Sequence, residues 1–169
     1  MVITINGVSE KSLRNAANKV RAYKNRVIAN NREFLKDLAV TGMDEAGNYL
    51  TVIASDYIPP DFTTYDPHVY GDGSKGAMST TLRLKGEQAA FVEFGAGVHY
   101  NGNPHGSPHP WGVELGFTIG DYGLHQGLKD GWWHAGHYYH GTPAAMPLYH
   151  ASIAMKQNAR VLAMINFRS

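Results

Sequence analysis

Histidine is the residue type in this chain whose number and spacing most readily suggest chemistry. Seven of the nine histidines fall within residues 99–140, together with all three tryptophans and many glycines. His134, His137 and His140 recur every third residue. Three neutral imidazoles brought to one face can hold zinc. On a helix that spacing would wander only modestly around one face. Gly136 and the aromatic neighbours instead suggest a loop or hairpin, with His and Tyr as amphipathic interface residues. His105 and His109 are four apart, but Pro104, Pro108 and Pro110 rule out a regular helix there. The chain has no His-Glu-x-x-His and no second acidic cluster at ligand spacing. The sequence therefore assigns no metal ligand and no cofactor.

The other chemistries are weaker. There are no cysteines, so disulfides, thiolate metal sites and Cys nucleophiles are excluded together. No Gly-x-Ser-x-Gly elbow is present. Glu93 and Glu114 can be drawn as the acid/base pair of a glycoside hydrolase, and the Trp and Tyr content suits sugar stacking. Nothing in their spacing selects them over other carboxylates. Residues 71–76, Gly-Asp-Gly-Ser-Lys-Gly, lack the spacing and the Gly-Lys-Ser/Thr ending of a phosphate-binding loop. No catalytic residue is assigned, and the expectation is a protein that is not an enzyme. Two alternatives from other classes stay open: a metal-dependent hydrolase using the His-rich segment, and an aromatic carbohydrate-binding module.

Several elements must position these residues. Ser9 is placed to cap a helix starting near Glu10. Leu13, Ala16 or Ala17, Val20, Tyr23 and Val27 then follow at three- and four-residue steps, an amphipathic pattern. Asn30-Asn31 is a candidate bend, after which Phe34, Leu35, Leu38, Ala46, Tyr49, Leu50 and Ile53 carry the pattern on toward Pro59-Pro60. Gly42 and Gly47 weaken this half, each by up to about 1 kcal/mol relative to Ala. They therefore predict close packing of another element there. Met78, Thr80, Leu82 and Leu84 alternate with polar residues and read as a strand. Ala90, Val92 and Phe94 read as a second strand, with Phe91 and Glu93 on its other face. Gly86 completes a three-residue hairpin loop that sets Arg83 opposite Glu87 and Met78 opposite Val92. Short strands are also possible within 111–119 and 132–139. Pro147 suits the first turn of a last helix whose core face is Leu148, Ala151, Met155, Ala159, Leu162 and Ile165.

At 169 residues the chain is read as a single domain, 1–169, with 98–141 as a His/Trp/Gly-rich insertion. A hydrophobic content of 43% and 17% charge argue against wholesale disorder. No apolar run approaches a membrane span, and the start lacks a basic segment and apolar core, so a soluble chain without a leader is expected. Net charge is +1 but uneven. Lys11, Arg14, Lys19, Arg21, Lys24, Arg26, Arg32 and Lys36 face Glu33 alone, whereas 37–155 carries twelve acids against four cations. That is either a solvated helix face or an electrically polar subunit that stacks basic to acidic, or touches phosphate. The basic stretch lacks the aromatic interleaving of single-strand binders.

Two segments carry a resemblance. Phe91-Val92-Glu93-Phe94-Gly95-Ala96-Gly97, read as the end of a strand, is similar to the strand ending in aromatic-Val-Glu-Phe-Gly of the small tail-completion (neck, head–tail joining) proteins of long-tailed bacteriophages. Ala144-Ala145-Met146-Pro147-Leu148-Tyr149-His150-Ala151 resembles the small-residue–Pro–apolar run that opens that family's last helix. Ala96 stands where Thr is usual, and Leu148 where an aromatic is usual. The elements themselves predict an α+β fold: a small, mainly antiparallel sheet around Met78–Phe94 packed on a long N-terminal helical segment and a C-terminal helix, with a loop-rich insertion. The resemblance implies a structural virion protein that forms homo-oligomeric rings, commonly of six or twelve copies. Its partners would be other connector, tail-terminator or tail-tube proteins. Genomic DNA would pass through the channel without sequence-specific binding, and no membrane would be involved. Phe91, Glu93, Phe94, Gly95, Gly97, Pro143, Met146, Pro147 and Leu148 become candidates for a fold-and-interface core.

Overall fold

The computed structural model describes residues 9–53, 70–73, 76–86, 89–95, 107–117, 132–139 and 143–168. Three helices and one hairpin order them: α1 Glu10–Ile53, α2 Ala89–Phe94, β1 Trp132–His134, β2 His137–Tyr139 and α3 Pro147–Phe167.

Helix dominates the described residues, and this overturns the expected α+β class. The 78–94 hairpin does not form. Its first arm contributes one isolated antiparallel bridge, Tyr70 to Ser79. Its second arm is the helix α2, entered through a bond from the Ala89 N–H to the Gly86 carbonyl. A six-residue apolar run does not distinguish strand from helix by period. The decision falls to tertiary demands, here the inward delivery of both Val92 and Glu93, which adjacent positions on a strand would send to opposite faces. Gly95 then takes a φ of 81°, the left-handed conformation that closes a helix at low cost for glycine, with its N–H on the Phe91 carbonyl.

α1 is one unbroken helix of 44 residues, about 66 Å long, and Asn30-Asn31 does not interrupt it. Ser9 caps it, its Oγ accepting the Ser12 N–H at 3.2 Å. The expected stop at Pro59-Pro60 lies outside the described residues.

α3 runs antiparallel along the C-terminal half of α1. Tyr49 stacks flat on His150 near the start of α3, with ring centroids 3.7 Å apart. Phe34 meets Phe167 at its end, and Asn166 donates to Asp37 at 2.8 Å. The seam between them is built from small residues: Ala39, Ala46 and Ala151 are buried. At Gly42 a Cβ would come 2.7 Å from Met155 Sδ, so glycine is what lets α3 approach. Gly47 has open space beside it and lacks that reason. Ile165, expected in the core, is exposed, and its neighbours Asn166 and Phe167 make the contacts to α1 at this end.

The only sheet among the described residues is β1–β2, with His134 opposite His137. Ala135 and Gly136 make its turn, both with positive φ, as a two-residue hairpin of primed type requires. Residues 107–117 form hydrogen-bonded turns rather than a strand.

Candidate functional site

The start of α3 has a problem that its own sequence does not solve. The first N–H groups of a helix lack intrahelical acceptors and are usually met by a Ser, Thr, Asp or Asn side chain at the N-cap. Here the N-cap is Met146, in left-handed conformation (φ 54°), with no side-chain bond to the helix. The acceptor comes from 53 positions earlier in the chain. Glu93 Oε2 accepts the Leu148 N–H at 2.8 Å, and Oε1 accepts the Tyr149 N–H at 2.9 Å. The carboxylate is 5% exposed and sits where the helix dipole is positive. Beside it the Val92 carbonyl accepts the Ala145 N–H at 2.8 Å. Pro147, fully buried, has no N–H to satisfy.

His109 closes the other side of Glu93. Its Nδ1 accepts the Trp111 N–H at 3.1 Å, which fixes the neutral ring as the Nε2–H tautomer. Nε2 lies 3.3 Å from Glu93 Oε1. Residues 107–117 hold this imidazole rigidly: Ser107 Oγ accepts the His109 N–H, the Phe117 carbonyl accepts from Ser107, and the Gly112 carbonyl accepts from Phe117. At Gly112 any Cβ would collide with the Ser107 side chain. Phe94 packs edge-on to His109 and stacks on Phe117, and Tyr149 meets His109 from α3. Burial is the main cause that lowers the His109 pKa below its ordinary value. The Glu93 carboxylate opposes that shift by charge and hydrogen bond, and the nearby His150 adds to it.

Beside this pair lies a cleft of about 310 Å³, with Leu84, Ala90, Phe94, Trp111, Leu148 and Ser152 among its walls. Both Glu93 oxygens and both His109 nitrogens are already committed within the subunit. The arrangement is suited to locking α2, the 107–117 turn and α3 together.

Of the residues singled out in sequence, Glu93, Gly95 and Pro147 are buried, while Phe91, Phe94, Pro143, Met146 and Leu148 are half-buried around them. Gly97 lies outside the described residues. Glu114 is exposed on the turn and Glu93 is buried on α2. His137 follows the hairpin turn, and His105 and His140 lie outside the described residues. Among the described residues, no three potential metal ligands come together. Likewise, no described helix is long and apolar enough to cross a membrane. His109 is the residue of this site to which spacing assigned no role. Its signal was a histidine between two prolines, a sequence that forces a tight turn.

No protein-family model, characterised protein or solved structure matches the chain.

Proposed function

We propose that this chain is a structural, non-enzymatic subunit of a bacteriophage head–tail connector, a tail-completion or neck protein that assembles as a ring in the virion. One observation supports the reading above the others. The two segments that resemble the family's motifs lie about fifty residues apart, yet they form one unit, joined by Glu93 to Leu148 and Tyr149 and by Val92 to Ala145. Each motif therefore needs the other, which gives a physical reason for their occurrence as a pair. The bonds that Glu93 and His109 make within the subunit, to Leu148, Tyr149, Trp111 and each other, are in keeping with a structural role.

In this reading the ring stands between the filled head and the tail, contacts terminator or tail-tube proteins, and lets DNA pass without reading its sequence. The genetic test is direct. Removing the encoding gene from its phage should leave filled heads and finished tails that do not join, and the purified chain should restore joining in the extract. Normal joined particles from the deletion would refute the proposal.

A further inference from the structure

Two surfaces at opposite ends of the α1–α3 pair expose large apolar side chains. The first is on the N-terminal half of α1, beyond the point where Phe34 meets Phe167. Leu13, Val20 and Val27 repeat every seven residues with Tyr23 between them, so they share one helix face. Leu13 is 49% and Val20 48% exposed. Lys19, Lys24 and Arg26 flank this stripe, all exposed. The second surface is the 107–117 turn. It presents Trp111 at 61%, Val113 at 50% and Leu115 at 58% exposure, with the exposed carboxylate of Glu114 among them and no cation in the segment.

Isolated exposed apolar residues are ordinary, but a row of them on one helix face and three within five residues of a rigid turn are not. A stripe-to-stripe contact would bring Lys19, Lys24 and Arg26 against their own copies, which like-charge repulsion disfavours. The turn has the opposite character: apolar, acidic, and carrying a tryptophan, the residue type most enriched where binding energy concentrates. Within one subunit the two cannot meet. The turn packs through His109 on Tyr149 near the start of α3, and the stripe begins past its end, about 31 Å along the helix.

We infer that the basic-apolar stripe of α1 in one copy receives the Trp111–Leu115 turn of the next copy. The contact joins two different patches, so it is heterologous and repeats head to tail, closing into a ring when the rotation allows. The inference rests on the ring-forming reading above and supplies its two surfaces.

Mixing variants of the full chain tests it. Val20→Glu with Val27→Glu disables the stripe and leaves the turn intact; Trp111→Lys with Leu115→Lys does the reverse. Followed by sedimentation velocity, wild type should assemble, and each variant alone should be monomeric, with self-affinity at least ~10-fold weaker. An equimolar mixture of the two variants holds one good stripe and one good turn per pair, so it should stop at heterodimers. Circular dichroism checks that helix content is retained. A second pair reads the same contact through charge: Lys19→Glu/Lys24→Glu/Arg26→Glu should lose assembly and recover it when mixed with Glu114→Lys.

Oligomers that survive either patch change would overturn this contact and leave the ring reading standing. Variants that stay monomeric when mixed would overturn the contact as well. A wild-type chain that remains monomeric, including one whose stripe takes up duplex DNA instead, would overturn both.

Discussion

Replacing Glu93 with alanine removes the acceptor of three donors at once: the Leu148 and Tyr149 N–H groups and the Nε2–H of His109. An N-cap side chain contributes about 1 kcal/mol and up to about 2. A carboxylate in a partly buried site at a helix N-terminus adds up to about 2 kcal/mol through the dipole. An orphaned buried donor such as the imidazole N–H costs about 1–3 kcal/mol. Against these stands the relief of no longer desolvating a charge, which removes part of the total. The net expectation for Glu93→Ala is a loss of about 3 kcal/mol. Glu93→Gln keeps one carbonyl oxygen but turns an NH2 toward a donor, so about half that loss should remain. Urea unfolding of the full chain measures both. Amide hydrogen exchange localises the effect, since Leu148 and Tyr149 should lose protection while mid-α1 amides such as that of Ala39 fall only by the global change. An alanine variant within about 0.5 kcal/mol of wild type, with those two amides still protected, would refute the remote-cap reasoning.

Two further outcomes follow from the same geometry. The folded state lowers the His109 pKa, so the unfolded chain binds the proton more readily; the stabilisation is present above about pH 6.5 and is lost as pH falls through the folded value. Protonation also forbids Nδ1 from accepting the Trp111 N–H, so Tm should fall on acidification and His109→Gln should flatten that fall; an unchanged slope would show that another group carries it. Gly42→Ala sets a Cβ 2.7 Å from Sδ of the flexible Met155 side chain, so a repacking cost of about 1 kcal/mol stands against a helix-propensity gain of about the same size. Gly47→Ala has open space and a helix to reinforce, so it should stabilise by up to about 1 kcal/mol, and thermal melts should place it above Gly42→Ala; the reverse order would refute the packing argument.

Long periodic patterns made α1 and α3 legible in sequence. Ser9 before Glu10 and Pro147 before the last apolar face marked where each begins, and Gly42 announced the close approach of α3. The 89–94 segment was misread because alternation across six residues satisfies both periods, and what decided it was a contact made far away in the chain. That contact left a trace. A helix opened by Pro147 with Met146 as its N-cap lacks a local acceptor, and a glutamate between two phenylalanines lacks a local reason to be buried. Each deficit is met by the other, but no spacing rule links positions 93 and 148. In the His-rich segment the hairpin was legible from Gly136 and its aromatic neighbours. His134 and His137 flank its turn, while the histidine that ties elements together, His109, lies between two prolines where spacing assigned it no role.

Native mass spectrometry of the purified chain at high concentration, before and after chelation, tests the central claim most directly. The connector account predicts a closed assembly, six or twelve copies, whose mass contains no stoichiometric metal and does not change with chelator. A monomer carrying one chelator-sensitive metal ion would contradict it and put the metal-dependent hydrolase in its place.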